Sequence, residues 1–411
     1  MNALENEINE RARALEGKLI AWRRDFHQHP ELSNRESRTG KIVAEHLLSL
    51  GLTVQTTIAR TGVVALLRGA LPGPVVALRA DMDALPVGEE VDLPFASKAK
   101  AEYEGKEVSV MHACGHDAHT AILMAVAEIL VGLKDRLAGS VKFIFQPAEE
   151  GPPHGEEGGA ELMIKEGVLE NPRPAAIFGL HVIAGIPTGK IGYRPGPTMA
   201  SGDTIRIKVQ GRQTHGAFPW QGVDPVVLAA QIVLGLQTIP SRQIDVTMEP
   251  SVVTISCING GVRSNIIPDH VELLGTMRTF NEAMRADIRQ RIKTTAEKIA
   301  ESAGGSAHVK IEKDYDVTIN DHGLTEQMAP TLSRVAGESN TFIAPKLTGS
   351  EDFSKYQQVI PGLFFFVGIT PPDAKHAAPN HSPHFRIDES GLSLGVRALA
   401  QLAIDYLHHN S

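Results

Sequence analysis

The sequence predicts an α/β protein whose main domain carries a mixed, largely parallel sheet and is interrupted by a smaller inserted domain. Three observations carry this reading. Short apolar runs alternate with helical stretches from the start of the chain to about residue 195. A Pro/Gly/Ser-rich linker, "YRPGPTMASGD", follows and changes the pattern. Beyond it the strands alternate apolar and polar residues, until the first pattern returns near residue 317.

The apolar runs of the first part are "GVVALLRG", "PVVALRAD", "VKFIFQPA" and "AAIFGLHV". Their length suits strands buried on both faces, as in a parallel sheet flanked by helices. Helices are expected over "SRTGKIVAEHLLSLG" and "HTAILMAVAEILVGL". In the insertion, "DTIRIKVQG" reads as a half-exposed strand and "DPVVLAAQIVLGLQTI" as a helix. "SVVTISCING" and "DHVELLGTMRTF" read as strands, "EAMRADIRQRIKTTAEKIAESAGG" as an amphipathic helix ending on glycines, and "AHVKIEKDYDV" as a strand. The order β-α-β-β-α-β is that of a ferredoxin-like split βαβ unit. A helix ("GLTEQMAPTLSRVAG"), a buried strand ("GLFFFVGI") and a closing helix ("LSLGVRALAQLAIDYLHH") complete the main domain. The expected division is 1–200 with 317–411 for the main domain, and 201–316 for the insertion.

The length agrees with more than one core, since 411 residues exceed what one hydrophobic core usually organises. With 42% hydrophobic and 21% charged residues, the composition is that of a globular protein. A net charge of −8 argues against a general nucleic-acid or anionic-membrane partner. The N-terminal stretch lacks the apolar core of a signal peptide. The longest apolar run, near "AILMAVAEILVGL", is too short to span a bilayer and contains Glu128. Two cysteines, Cys114 and Cys257, in so long a chain suggest free thiols and a cytoplasmic location.

In open α/β sheets, ligand sites form beyond the carboxyl ends of the strands. "PVVALRA" runs into Asp81-Met82-Asp83, and "VSVMHA" into Cys114-Gly115-His116-Asp117. "VKFIFQPA" runs into Glu149-Glu150, and "AAIFGL" into His181. Four expected strands thus bring acids, imidazoles or a thiol to one end. Gly115 lets the chain bend so that Cys114 and His116 could face one ion, and Asp117 suits the N-cap of the next helix. His112 and His119 are balanced between metal binding and support of the helix start. A structural zinc site would draw on four cysteine or histidine ligands. Here the two cysteines fall in different expected domains, and the acids point to an open catalytic centre. The pair Glu149-Glu150 taken alone reads as a solvated turn. At a strand end, one member could bind metal while the other moves a proton.

The motifs "RADMDALP", "MHACGHDAHT", "QPAEEG", "GLHV", "THGAFP", "SNIIPD", "GTMRT", "GSEDF" and "HSPHF" resemble, in order, dinuclear-metal amidohydrolases of the hippurate hydrolase type. That group includes N-acyl-amino-acid and indole-acetyl-amino-acid hydrolases, within the aminoacylase and glutamate-carboxypeptidase superfamily. The resemblance runs from "WRRDFHQHPELS" to the closing helix. It implies a zinc-peptidase-like catalytic domain and an inserted lid and dimerisation domain. It implies Cys114, His116, Glu150, His181 and His381 as metal ligands, with Cys114 bridging two ions and His384 as the rival of His381. Glu149 is implied as general base and Asp83 as support for a metal ligand. His215, Asn265 and Arg278 lie in motifs associated with substrate. By themselves, His215 reads as a loop histidine and Arg278 as a strand surface charge. Their chemistry nevertheless suits an oxyanion donor and a carboxylate clamp. Trp220 departs from the family pattern, which often has a second histidine there.

The function so implied is hydrolysis of the amide bond of a small N-acyl amino acid by an enzyme with two divalent ions. The mixed S/N/O donors suit zinc, manganese, cobalt or nickel. The resemblance further implies a homodimer formed through the insertion, with His215 reaching a partner's site. A dipeptidase or carboxypeptidase of the same superfamily is the near alternative. A non-catalytic metal-stabilised binding protein is the distant one.

Overall fold

The computed structural model describes residues 3–371, 374 and 376–411. The chain forms two compact units. One comprises Met1–Gly196, Ile319–Pro345 and Lys355–Ser411; the other comprises Pro197–Thr318 and Lys346–Ser354. No helix among the described residues is long and apolar enough to cross a membrane.

The first unit is built on an eight-stranded sheet. Its strands are β1 (Thr53–Ile58), β2 (Gly62–Arg68), β3 (Leu71–Asp81), β6 (Ala138–Gln146), β7 (Ala176–Pro187) and β8 (Ile191–Tyr193), with Thr341–Ile343 and Gly362–Thr370. The central run β6, β3, β7 and Gly362–Thr370 is parallel, whereas β1, β2 and β6 pair antiparallel. The mixed, largely parallel sheet expected from the apolar runs is therefore present. The runs carry no polar alternation because both faces are covered: "FFFVGI" is buried throughout. Helices α1 (Ala3–Gln28), α3 (His116–Val131) and Leu392–His409 join the sheet in one core. Of α3, only Glu128 and Val131 escape burial, so the helix reads as uniformly apolar rather than amphipathic.

Two elements differ from expectation. "VSVMHA" is not a strand of the main sheet. Residues Lys100–Tyr103 (β4) and Lys106–Ser109 (β5) instead form a separate antiparallel hairpin, and Met111 makes only an isolated bridge to Leu85. The turn explains this. Glu104 and Gly105 both adopt positive φ, at 49° and 75°, as a two-residue type I′ hairpin requires. Pairing with the adjacent strand costs far less loop entropy than joining a distant sheet. In the second case, β7 does not end before His181 but continues through it, because Phe366 still pairs with it.

The second unit has a four-stranded antiparallel sheet in the order Ser251–Asn259, His270–Thr279, Gly202–Gln210, Ser306–Tyr315. Two helices, Pro225–Thr238 and Glu282–Ser302, pack on one face with their own hydrophobic core. Asp224 and Asn281 cap their N-termini through side-chain acceptors. The buried Arg285 ties the second helix to the strand ends. It pairs with Asp203 and Asp316 at 2.8 Å each and donates to the carbonyls of Gly202 and Tyr315.

Arg285→Leu leaves the fully buried Asp203 with only the more distant Arg289, at 3.8 Å, as a cation. A destabilisation of about 3–5 kcal/mol is expected, read as a lowered denaturant midpoint. An unchanged midpoint would contradict this role.

Candidate metal centre

The site is assembled at the carboxyl ends of β3 and β6. Asp83 lies two residues beyond β3 and is buried. Its Oδ1 accepts from the Glu149 amide at 3.0 Å and faces His116 Nδ1 at 3.2 Å. Its Oδ2 accepts from the Glu150 amide at 3.1 Å and the Ser33 hydroxyl at 2.7 Å. Burial pushes this carboxyl up, but His116, Ser33 and the Glu150 amide outweigh burial and hold it below its ordinary range.

The turn after β6 is shaped by a second carboxylate. Ala148 has φ +52°, a conformation few side chains adopt freely. Glu36 Oε1 accepts from its amide at 2.8 Å and from Asn34 at 3.0 Å, while Oε2 accepts from Thr61 at 2.6 Å. Burial, and then the charge of Asp83, push Glu36 up to about 8.

Gly115 makes the turn into α3. Its φ is +95°, and a Cβ there would lie 2.3 Å from Val182 Cγ2, so no other residue fits without rearrangement. It occupies the N-cap position with no side-chain cap. The expectation that Asp117 caps this helix is thus corrected. Asp117 is instead buried against Arg23 and His27, 2.8 Å from each. Burial pushes its carboxyl up, but Arg23 and His27 hold it well below the usual range. His119 uses both ring nitrogens, facing Asp81 at 2.6 Å and accepting from the Val182 amide at 2.9 Å. It is a supporting residue, with no lone pair left for a metal. His112 is buried, has no hydrogen-bond partner on either nitrogen, and is pushed down to about 3 by burial.

The remaining donors converge. His181 gives Nδ1–H to the Val182 carbonyl at 2.8 Å, which leaves Nε2 with a lone pair 3.4 Å from Cys114 Sγ. His116 is held through Nδ1 by Asp83. Its Nε2 is buried without a partner, 3.8 Å from Glu149 and 3.9 Å from Glu150. His381 Nε2 lies 3.0 Å from Glu150 and 3.2 Å from Cys114. Its backbone is in the left-handed region, at φ +69°, and its amide donates to the Ala113 carbonyl at 2.7 Å. His384 is exposed and meets Glu90 at 3.3 Å, apart from these donors.

Three overlapping trios result: Cys114–His116–His181, Cys114–Glu150–His381 and His116–Glu149–Glu150. Within each, the donor atoms lie within 4.8 Å of one another. The arrangement fits divalent cations on two grounds. His116 Nε2 is a buried nitrogen with no hydrogen-bond partner among the described residues. Burial, then Glu150 and Glu149, push the Cys114 thiol well up, so a thiolate there needs a neighbouring cation. The trio Asp81–His116–His119 fits poorly, because His119 is fully hydrogen-bonded.

The expected substrate residues lie in the second unit. His215 is exposed on the short strand Thr214–His215, which pairs with Ile266–Ile267. The Gly216 amide bonds the Asn265 carbonyl at 2.8 Å, so strand pairing makes His215 and Asn265 neighbours. Arg278, half-buried, donates to Thr276 Oγ1 and the Met277 carbonyl and makes no ion pair among the described residues. Trp220 is 73% exposed and stacks edge-on against Phe218.

The Peptidase family M20/M25/M40 matches residues 77–405, and the chain belongs to this family. It is a metal-dependent amidohydrolase of that family, as the motifs implied. Thermostable carboxypeptidase 1 of Saccharolobus solfataricus is 39% identical over 98% of each chain. The N-acetylcysteine deacetylase of Bacillus subtilis is 37% identical over 95% of this chain and 97% of its own. A crystal structure of a dinuclear metal-binding M20 peptidase from Bacillus subtilis has a TM-score of 0.80 and 35% identity, covering 96% of this chain and 99% of its own.

Sequence reading missed Glu36 and Asn380. Asn380 donates to the Cys114 carbonyl at 3.1 Å and accepts from the Ala184 amide, locking the segment before His381 to the turn before α3 and to β7. Its position beside His381 was a usable signal. Glu36 gave none, since it lies 112 residues from the amide it holds.

Glu36 binds its proton more tightly folded than unfolded, where the ordinary value is 4.5. Its stabilising contribution is therefore full at low pH and is lost as pH rises through about 8. The melting temperature of metal-free protein should fall between about pH 5 and about pH 9, and Glu36→Gln should flatten that fall. Parallel pH profiles for the two proteins would contradict the assignment.

Proposed function

We propose that this chain hydrolyses the amide bond of N-acyl amino acids, releasing a carboxylic acid and a free amino acid. The observation that carries the reading is the set of donor trios that overlap through Cys114, His116 and Glu150, with Glu149 a member of one. Cys114, His116, Glu150, His181 and His381 would hold two divalent ions. Ions bound there would acidify water and polarise the amide carbonyl. Glu149 takes the proton of the attacking water and returns it to the leaving amine. Asp83 keeps His116 in the tautomer that presents Nε2 and fixes the backbone from which Glu149 projects.

His215 donates to the developing oxyanion, while Asn265 and Arg278 receive the substrate carboxylate. Support for the clamp is the guanidinium of Arg278, which has no carboxylate of its own among the described residues. A second copy of the chain covers the inserted unit. Support lies in Val226, Val227 and Leu234, exposed on the helix Pro225–Thr238, and in the exposed Val252 and Ile258 on the edge strand Ser251–Asn259. The carboxypeptidase reading remains as a second activity, favoured by the name of the Saccharolobus solfataricus relative. A panel of N-acetyl, N-benzoyl and long-chain acyl amino acids beside dipeptides separates the two.

Glu149→Gln should lower kcat by at least about 10²-fold while metal content by elemental analysis is retained. Wild-type turnover would exclude Glu149 as the base. Arg278→Ala should raise KM far more than it changes kcat, by about tenfold or more, and an unchanged KM would remove it from the clamp. Leu234→Glu should lower the mass measured by light scattering to that of a monomer. A monomeric wild type would refute the dimer.

A further inference from the structure

The β4–β5 hairpin, absent from the main sheet, closes one side of a cavity of about 450 Å³ in the first unit. Leu32, Ala84, Leu85, Pro86, Tyr103 and Pro153 form its apolar lining. Its polar members are Ser33, Arg35, Glu102, Glu104 and Glu150. Glu150 also belongs to the metal-ligand cluster, and the Ser33 hydroxyl is bonded to Asp83, so the cavity abuts the metal centre. The hairpin is seated by a small hydrophobic cluster in which Tyr103 and Val108 pack on Leu32, Ala84 and Val110.

The charges are unbalanced. Among the described residues Arg35 is the only cation lining the cavity, and it is bound to Glu156 at 2.6 Å and to the Asn34 carbonyl at 3.1 Å. Glu102 and Glu104, on the exposed rim, make no ion pair among the described residues. Divalent ions held by Glu150 and its neighbours would offset the charge of Glu150 but not of these two. An N-acyl amino acid carries its carboxylate on the amino-acid side of the scissile bond. Two uncompensated glutamates disfavour that side and leave the acyl side to enter. The volume exceeds what an acetyl group fills and leaves room for a medium-chain or aryl group.

Resting on the amidohydrolase reading above, we infer that this cavity is the acyl-group subsite, and that Glu102 and Glu104 select uncharged or cationic acyl groups over anionic ones. Tyr103 supplies the aromatic wall for aryl groups.

The test uses metal-loaded holoenzyme and N-hexanoyl, N-benzoyl and N-succinyl derivatives of whichever amino acid the panel shows to be cleaved best. Wild type should favour hexanoyl over succinyl in kcat/KM by at least about tenfold, and added salt should narrow the gap. The double variant Glu102→Lys/Glu104→Lys should lower this ratio by about tenfold or more and keep hexanoyl turnover within about threefold. Glu102→Gln/Glu104→Gln should fall between. Tyr103→Ala should lower benzoyl turnover relative to acetyl. A ratio unchanged within about twofold in both double variants, with wild-type melting temperatures, overturns the subsite and leaves the amidohydrolase reading intact. Failure of wild type to cleave any N-acyl amino acid overturns both.

Discussion

One carboxylate organises the centre. Asp83 accepts from the amides of Glu149 and Glu150 and orients His116 through Nδ1. It thereby couples the end of β3 to the turn after β6 and to the start of α3. A buried carboxylate with four partners is held by the whole of its surroundings, and it holds them in turn. Ligand geometry within a few tenths of an ångström depends on such support, because Glu149 and Glu150 sit on a turn whose own backbone is strained at Ala148.

Further layers of polar contacts stand behind it. Glu36 caps the strained turn, Arg23 and His27 enclose Asp117, and Asn380 pins the segment before His381. Each contact joins parts of the chain distant in sequence. The main unit's sheet and helices bring those segments together, and the bond then fixes one turn or one side chain. This division of labour explains why α3 is nearly all apolar although its first turn carries chemistry. The helix body is an anchor in the core, and only its N-terminal residues reach the centre.

The motifs made much of the centre legible beforehand. Cys114, His116, Glu150, His181 and His381 all sit in short, distinctive segments, and the structure brings their donor atoms together. The choice between His381 and His384 was not legible, since both lie in one motif three residues apart. Backbone conformation separates them: the left-handed turn at His381, anchored to Ala113, puts His381 beside Cys114 while His384 meets Glu90. Likewise, nothing in "MHACGHDAHT" distinguishes His116 from His119. Their hydrogen bonds do, because His119 spends both nitrogens on Asp81 and Val182.

By itself the sequence determined the family, the alternation of buried strands and helices, and the candidate donors, because apolar periodicity and motif chemistry are local properties of a chain. It misread "VSVMHA" as a sheet strand, because apolar content alone does not say with which neighbour a strand pairs. Only the tertiary structure decided that this segment follows a hairpin which walls a cavity beside Glu150. Only it decided that Asp117 serves as a buried anion rather than a cap, and that Glu36 shapes the turn carrying Glu149 and Glu150. The physical reason is common to all three. Each outcome rests on contacts between segments far apart in sequence, and these exist only once the core has packed.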